Sequence, residues 1–310
     1  MILVGDVGGT NTRFALAERS GSDWRFTRLE QQPTMPGVTE ALARYLESAD
    51  RPALAAAAFC GAGPVQADGS IRLTNADAVL DPAGLAAAAG IDRVLLINDF
   101  AAVAHAIPRL PAAAFAACGA GVARRDSPRV VLGPGTGLGI AVLAPVKDGW
   151  SVIPGDGGHA DLAPVNDEEI AVWRQLRGRH GRVSIEMVLS GPGLERLYRV
   201  IGPGDACKAP QIADAAWRGD AVAAKAVALF TRWLGRVAGN LALTAAAQGG
   251  VYLAGGFIPS WGSRFDVAAF RAGFEDKEPH SDWLRSIPCY VVQHPQPGLY
   301  GLAVLAADDA

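Results

Sequence analysis

Apolar runs alternate with glycine turns along this chain, and three of those junctions dominate the pattern. Ile2-Leu3-Val4 leads into Asp6-Val7-Gly8-Gly9-Thr10, and Val251-Tyr252-Leu253 closes on Ala254-Gly255-Gly256. Between them, Val130-Val131-Leu132 runs through Gly133-Pro134-Gly135-Thr136-Gly137-Leu138-Gly139 into Ile140-Ala141-Val142-Leu143. Short apolar runs bounded by glycine are strand signals. Residues 2–7 and 12–18 are therefore expected to pair as an antiparallel hairpin with a long tip, followed by a third strand over 25–31. Val38, Leu42 and Leu46 recur at helical spacing. Strand-like runs follow at 53–60 and 93–97. A short helix lies between them at 82–89, bracketed by Pro82 in its first turn and Gly90 beyond its end. The strand, glycine turn, strand pattern returns at 129–143 and points to two related halves.

Helices are expected at 167–178 and 193–201. A long one starts at Asp220, an N-cap residue, and runs to about Gln248 with Val227, Phe230, Leu234, Val237 and Leu241 on one stripe. A short helix at 298–307 follows. Residues 109–128 mix Pro, Gly and Ala without a period, which marks a boundary between domains.

At 310 residues the chain has room for two domains, and with 50% hydrophobic and 19% charged residues it has the composition of a folded protein. A formal charge of −3 offers no basic field for nucleic acid or an anionic membrane. Cys60, Cys118, Cys207 and Cys289 form no C-x-x-C pair, so buried reduced thiols are expected rather than disulfides or a zinc clip. The five histidines form no metal motif. The amino terminus enters a strand directly, without a leader pattern, and the alanine-rich stretches are too short to span a bilayer. A soluble cytoplasmic protein is expected.

Glycine permits positive φ and close backbone approach, so such turns can aim N–H groups at phosphate oxygens. Any one of them can equally be a plain chain reversal. The second turn lacks the third glycine of G-x-G-x-x-G, and no G-K-[ST] is present, so Rossmann and P-loop sites are excluded on spacing. Asp99 stands at the carboxyl end of the 93–97 strand, where α/β folds present ligands. A carboxylate there either caps the helix that starts at Phe100 or takes a proton from a hydroxyl nucleophile.

The ordered set of motifs resembles the actin-like ATPase superfamily of sugar kinases, and within it the bacterial glucokinases of the hexokinase-like type. The matching segments are Gly5-Asp6-Val7-Gly8-Gly9-Thr10-Asn11, Ile97-Asn98-Asp99-Phe100, the second glycine turn, Pro154-Gly155-Asp156-Gly157-Gly158-His159, Leu189-Ser190-Gly191-Pro192-Gly193 and Ala254-Gly255-Gly256. Phe274-Glu275-Asp276-Lys277 and Pro297-Gly298 extend the likeness almost to the end. No cysteine-rich segment follows His159, which separates the chain from the ROK-type sugar kinases.

The resemblance implies an α/β, two-domain actin-like ATPase (ribonuclease H-like) fold with an interdomain cleft. Its small domain would span 1–110, completed by the helix 297–310, and its large domain 111–296. It implies phosphorylation of the 6-hydroxyl of glucose by ATP with Mg²⁺, as an early step of glycolysis, and a homodimer. Asp99 would be the general base, with Asn98, Asp156, His159 and Glu186 on the sugar. Gly8, Gly9, Thr10, Asn11, Gly135, Thr136 and Gly137 would contact the phosphates, Gly255 and Gly256 the adenosine, and Asp6 would hold Mg²⁺, directly or through water. On the residues alone, Asp6 can simply stabilise its own turn, His159 can be structural, and Glu186 can be a helix-start carboxylate.

Two positions depart from the family pattern: Asp156 stands where Glu is usual, and Ala78 where a Trp is usual. They open the alternatives of a kinase for another hexose or an amino sugar, or a non-catalytic sugar sensor on the same fold. An actin-like ATPase with a protein partner has no use for the Asp156, His159 and Glu186 set.

Overall fold

The computed structural model describes residues 1–21, 23–202 and 207–308. The backbone groups into two compact units, the first made of Met1–Ala114, Val152–Pro154 and His294–Ala310, the second of Phe115–Ser151 and Gly155–Gln293.

Unit 1 is built on a five-stranded sheet. Its strands are β1 (Ile2–Val7), β2 (Asn11–Ser20), β3 (Asp23–Pro33), β4 (Ala56–Gly61) and, after the small ribbon of β5 (Ile71–Arg72) and β6 (Val79–Leu80), β7 (Leu95–Asn98). Their order is β3-β2-β1-β4-β7. β1 is antiparallel to β2, with Asp6 opposite Arg13, and parallel to β4, with Asp6 beside Cys60. Because β1 and β4 are covered on both faces, they read as near-continuous apolar runs, interrupted in β1 by Asp6, rather than as alternating ones. One face packs against α1 (Val38–Ser48) and α2 (Pro82–Ala89), the other against α3 (Asp99–Ala106) and α12 (Pro297–Asp308). The side chain of Asp81 accepts from Ala83 N and Gly84 N to start α2, and Gly90 ends it at φ +71°, as the Pro82–Gly90 bracket predicts.

Unit 2 carries the six-stranded sheet β11-β10-β9-β12-β13-β8. Its strands are β8 (Phe115–Ala117), β9 (Arg129–Pro134), β10 (Leu138–Val146), β11 (Gly149–Gly155), β12 (Val251–Leu253) and β13 (Cys289–Val292). The helices are α4 (Asp167–His180), α5 (Ile185–Val188), α6 (Gly191–Ile201), α7 (Ala209–Trp217), α8 (Ala221–Ala245), α9 (Phe257–Trp261), α10 (Val267–Glu275) and α11 (Ser281–Ser286). The long α8 starts at the Asp220 cap but ends three residues before the expected Gln248, because Ala246 turns left-handed at φ +48°. It is more than a one-sided helix: Ala226, Phe230, Trp233, Leu234 and Val237 are buried, while Val227 and Leu241 of the expected stripe are only half-buried. Gly235 and Gly239 let α10 approach backbone to backbone; a methyl at Gly235 would stand 2.0 Å from Phe270 O.

The stretch expected to be an irregular boundary at 109–128 contains β8, antiparallel to β13. Its three residues, Phe-Ala-Ala, are too short a run to register as a strand by pattern.

Candidate active site

In unit 1 the carboxyl ends of the three parallel strands coincide, with Val7 beside Gly61 and Gly61 beside Asn98. The first glycine turn and the Asn98-Asp99 pair therefore open at one end of the sheet, as α/β folds place ligands. Gly8 N donates to Asn11 O at 3.0 Å, and Gly8 O accepts from Thr34 Oγ1 at 2.7 Å. Thr10 is exposed at the tip and its carbonyl accepts from Thr34 N at 3.0 Å. Gly9 lies against Asn75, whose Cβ would stand 3.1 Å from a methyl there.

The cap of α3 is Asn98, not Asp99. Asn98 Oδ1 accepts from Phe100 N at 2.9 Å and Ala101 N at 3.1 Å, and its Nδ2 donates to Gly63 O at 3.2 Å. Most of the Asn98 amide is thus engaged by the protein, leaving one N–H for a ligand. Asp99 sits half-buried in the first helical turn, where its Oδ1 accepts from Phe100 N at 2.9 Å.

Asp6 is held by both neighbouring strands. Arg13 Nη1 donates to Oδ2 at 3.3 Å from β2, and Cys60 Sγ donates to Oδ1 at 3.5 Å from β4. Burial pushes the Asp6 pKa up, against the opposing pull of the Arg13 charge and the thiol. Burial likewise pushes the Cys60 thiol well up, reinforced by the Asp6 and Asp99 charges, so Cys60 stays a neutral donor. Neither Arg13 nor the role of Cys60 stands out in the sequence. Counting residue pairs outward from the first turn would have placed Arg13 opposite Asp6.

In unit 2 the second and third glycine turns meet at the carboxyl ends of β9 and β12, where Ala254 N donates to Leu132 O at 2.9 Å. Gly255 has φ +81°, and a methyl there would stand 3.1 Å from Pro134 O. Gly256 begins α9. Within the second turn, Gly135 N donates to Gly137 O at 2.8 Å, and Thr136 is exposed. Gly135 O accepts from Gly191 N at 2.8 Å, which ties the turn to the start of α6. Ser190 caps that helix by accepting from Gly193 N at 3.0 Å.

Glu186, in the first turn of α5, joins this turn to the histidine loop. Its Oε2 accepts from Leu138 N at 2.8 Å, and its Oε1 lies 3.9 Å from His159 Nε2. Gly158 permits that assembly, since a methyl on it would stand 2.6 Å from Leu138 O. Asp156 and His159 are both exposed, and the His159 carbonyl accepts from Arg182 Nη2 at 2.9 Å. The structure thus brings Glu186, His159 and the second turn together in unit 2, and Asp6, the first turn, Asn98 and Asp99 together in unit 1. Ala78 is buried in the β5–β6 ribbon region of unit 1, where its carbonyl accepts from Leu73 N.

The glucokinase family profile matches residues 3–309. A glucokinase of Chromobacterium violaceum is 41% identical over 99% of this chain and 89% of its own length. Among solved structures, a glucokinase from an Antarctic psychrotroph superimposes with a TM-score of 0.85 at 32% identity, covering 99% of this chain and 98% of that one. A glucokinase of Balamuthia mandrillaris in complex with glucose gives a TM-score of 0.83 at 25% identity over 99% and 93% of the two chains. The two sheets are those of the actin-like ATPase fold, and the chain belongs to the glucokinase family.

Proposed function

We propose that this protein transfers the γ-phosphoryl group of ATP to the 6-hydroxyl of glucose, with Asp99 as the general base. The observation that carries the reading is the division of labour at the start of α3: Asn98 performs the capping, so the Asp99 carboxylate is placed in the first turn at the carboxyl end of β7. A hydroxyl is a poor nucleophile, and a carboxylate that orients it and accepts its proton supplies what phosphoryl transfer to a sugar needs. In unit 2, Asp156, His159 and Glu186 are the groups for sugar hydroxyls. A carboxylate accepts, and His159 donates or accepts according to its tautomer.

Gly8, Gly9, Thr10 and Asn11 from unit 1, and Gly135, Thr136 and Gly137 from unit 2, are assigned to the phosphates, and Gly255 and Gly256 to the adenosine. The open carboxyl-end turns in each unit support this assignment. Mg²⁺ would neutralise phosphate charge. It takes few protein ligands and keeps several waters. The Asp6 carboxylate fits that role through water, because each of its oxygens already accepts one donor and retains a second lone pair. Action in the cytoplasm at the entry to glycolysis, as a homodimer, completes the proposal, following the family resemblance; no described helix is long and apolar enough to cross a membrane.

A coupled assay over a panel of sugars with ATP and Mg²⁺ tests the reading, and glucose should give the highest kcat/KM. A second reading, a kinase for another hexose or an amino sugar, is favoured by the short Asp156 side chain and by Ala78. A higher kcat/KM on such a sugar than on glucose would establish it.

A further inference from the structure

Asp6 lies near the end of β1, next to the first glycine turn. A carboxylate on a strand end can rotate about its Cβ–Cγ bond, and a rotated one presents different lone pairs to a cation. Asp6 is braced against that rotation by one donor on each oxygen, Arg13 at 3.3 Å and Cys60 at 3.5 Å. The braces come from the two strands that flank β1, at positions directly beside Asp6 in both registers. On a third side, a methyl added at Gly298 at the start of α12 would stand 3.7 Å from Oδ2.

Cys60 suits this place for a chemical reason. Its side chain is fully buried in the cluster of Val4, Ala15, Ala58 and Leu299. A thiol behaves there as a small hydrophobe and still offers a weak hydrogen-bond donor. Alanine would keep the packing and remove the donor. Serine would keep the donor but demand stricter satisfaction of its hydroxyl in an apolar wall.

We propose that Cys60 is a positioning residue of the phosphoryl-transfer site, its thiol fixing the rotation of the Asp6 carboxylate and so the way Asp6 meets the hydrated cation of the nucleotide. This rests on the function proposed above. The thiol acts through Asp6 and touches no substrate.

Calorimetric titration of MgADP into the wild type, Cys60→Ala and Cys60→Ser, without turnover, provides the test, together with the Mg²⁺ dependence of glucose phosphorylation. Cys60→Ala should weaken MgADP by about 3–10-fold, the scale of a modest hydrogen bond, and raise the Mg²⁺ concentration for half-activity similarly. Its glucose KM should stay within twofold, and Cys60→Ser should bind MgADP within twofold of the wild type. With Asp6→Asn in place, Cys60→Ala should produce no further loss of affinity. Unchanged MgADP affinity in Cys60→Ala overturns the proposal, as does an equal loss with and without Asp6→Asn. If Cys60→Ala fails to fold, Cys60→Ser decides: near-wild-type affinity supports the brace, and a loss of tenfold or more overturns it. A wild type that binds MgADP but phosphorylates no glucose would instead sink the functional reading.

Discussion

The two units repeat one plan with different chemistry. Unit 1 orders its sheet β3-β2-β1-β4-β7, and unit 2 orders its own β11-β10-β9-β12-β13 before adding β8. Each contains an antiparallel hairpin whose glycine turn lies at the end of parallel strands. In unit 1 the acidic groups beside the turn are held by neighbouring elements: Asp6 by Arg13 and Cys60, and Asp99 by the helix that Asn98 caps. In unit 2 the turn is braced by Glu186 and Gly191, while Asp156 and His159 stand exposed on a loop. Under the proposed roles, the carboxylates assigned to the cation and the nucleophile are fixed by strands and a helix start. Of the groups assigned to the sugar, Asn98 and Glu186 are held by the protein, while Asp156 and His159 stand exposed.

Asp99→Ala breaks that comparison most directly. It should lower kcat by about 10²–10⁴ while ATP affinity stays nearly intact, because the proposed role of Asp99 is toward the nucleophile rather than the nucleotide. A variant that changes only a KM would show that unit 1 holds recognition rather than reactive groups. Steady-state kinetics with an independent ATP titration measures both.

Gly193→Ala tests how firmly the second turn is braced. The added methyl would stand 2.2 Å from Val188 O, so the α5–α6 junction must shift. The expected cost is about 1–3 kcal/mol in urea unfolding, with weaker nucleotide binding because the start of α6 holds Gly135. Gly191→Ala is the matched control, with its nearest neighbour at 3.4 Å. Equal losses in both would deny the brace.

Asp156→Glu probes the exposed loop. Aspartate falls about 1–1.5 Å short of glutamate, one methylene. The longer side chain should lower the glucose KM with little change in kcat, since the regained contact is uniform across ground and transition states. If the true substrate carries a bulkier substituent, activity on that sugar should be lost instead. Unchanged kinetics on every sugar would remove Asp156 from the site.

The smallest effect concerns a half-buried base in unit 2. Burial, aided by the Arg236 charge, lowers the pKa of Lys277 from 10.5 to about 8, against the pull of Asp276 and Glu169. Below pH 8 the folded and unfolded chains both carry the proton, and the folded state bears the cost of a half-buried charge. Between pH 8 and 10.5 the unfolded chain binds more protons, so stability rises with pH. Lys277→Met should therefore stabilise the protein at pH 7, with a gain that fades toward pH 10.5. A gain independent of pH in chemical denaturation would assign it to packing.

Much of this was legible from local pattern. The hairpins, the 82–89 helix between Pro82 and Gly90, and the start of α8 at Asp220 all follow from glycine, proline and capping residues acting within a few positions. What escaped depends on contacts distant in the chain. β8 is a strand only because β13 pairs with it, and Cys60 reaches Asp6 across 54 positions. The Leu138–Glu186 bond spans 48. Residue types at the site can be picked from motifs; the partners that aim them are set by sheet register.

The position of α12 bears on how the chain is made. α12 packs on β1, β4 and α3, and a methyl at Gly301 would stand 1.8 Å from Ala102 O. Leu299, Leu302 and Ala303 complete the cluster that covers Val4, Ala15 and Ala58. Those residues leave the ribosome about 180 positions after Ala114, roughly 10–40 s later at ordinary synthesis rates. Until then α3 covers only part of the apolar face that β1 and β4 share with it. The segment from 115 to 293 emerges earlier as nearly the whole of unit 2. The half begun first is the half finished last, and a nascent chain stalled before α12 would present β1 and β4 as a ready surface for chaperones.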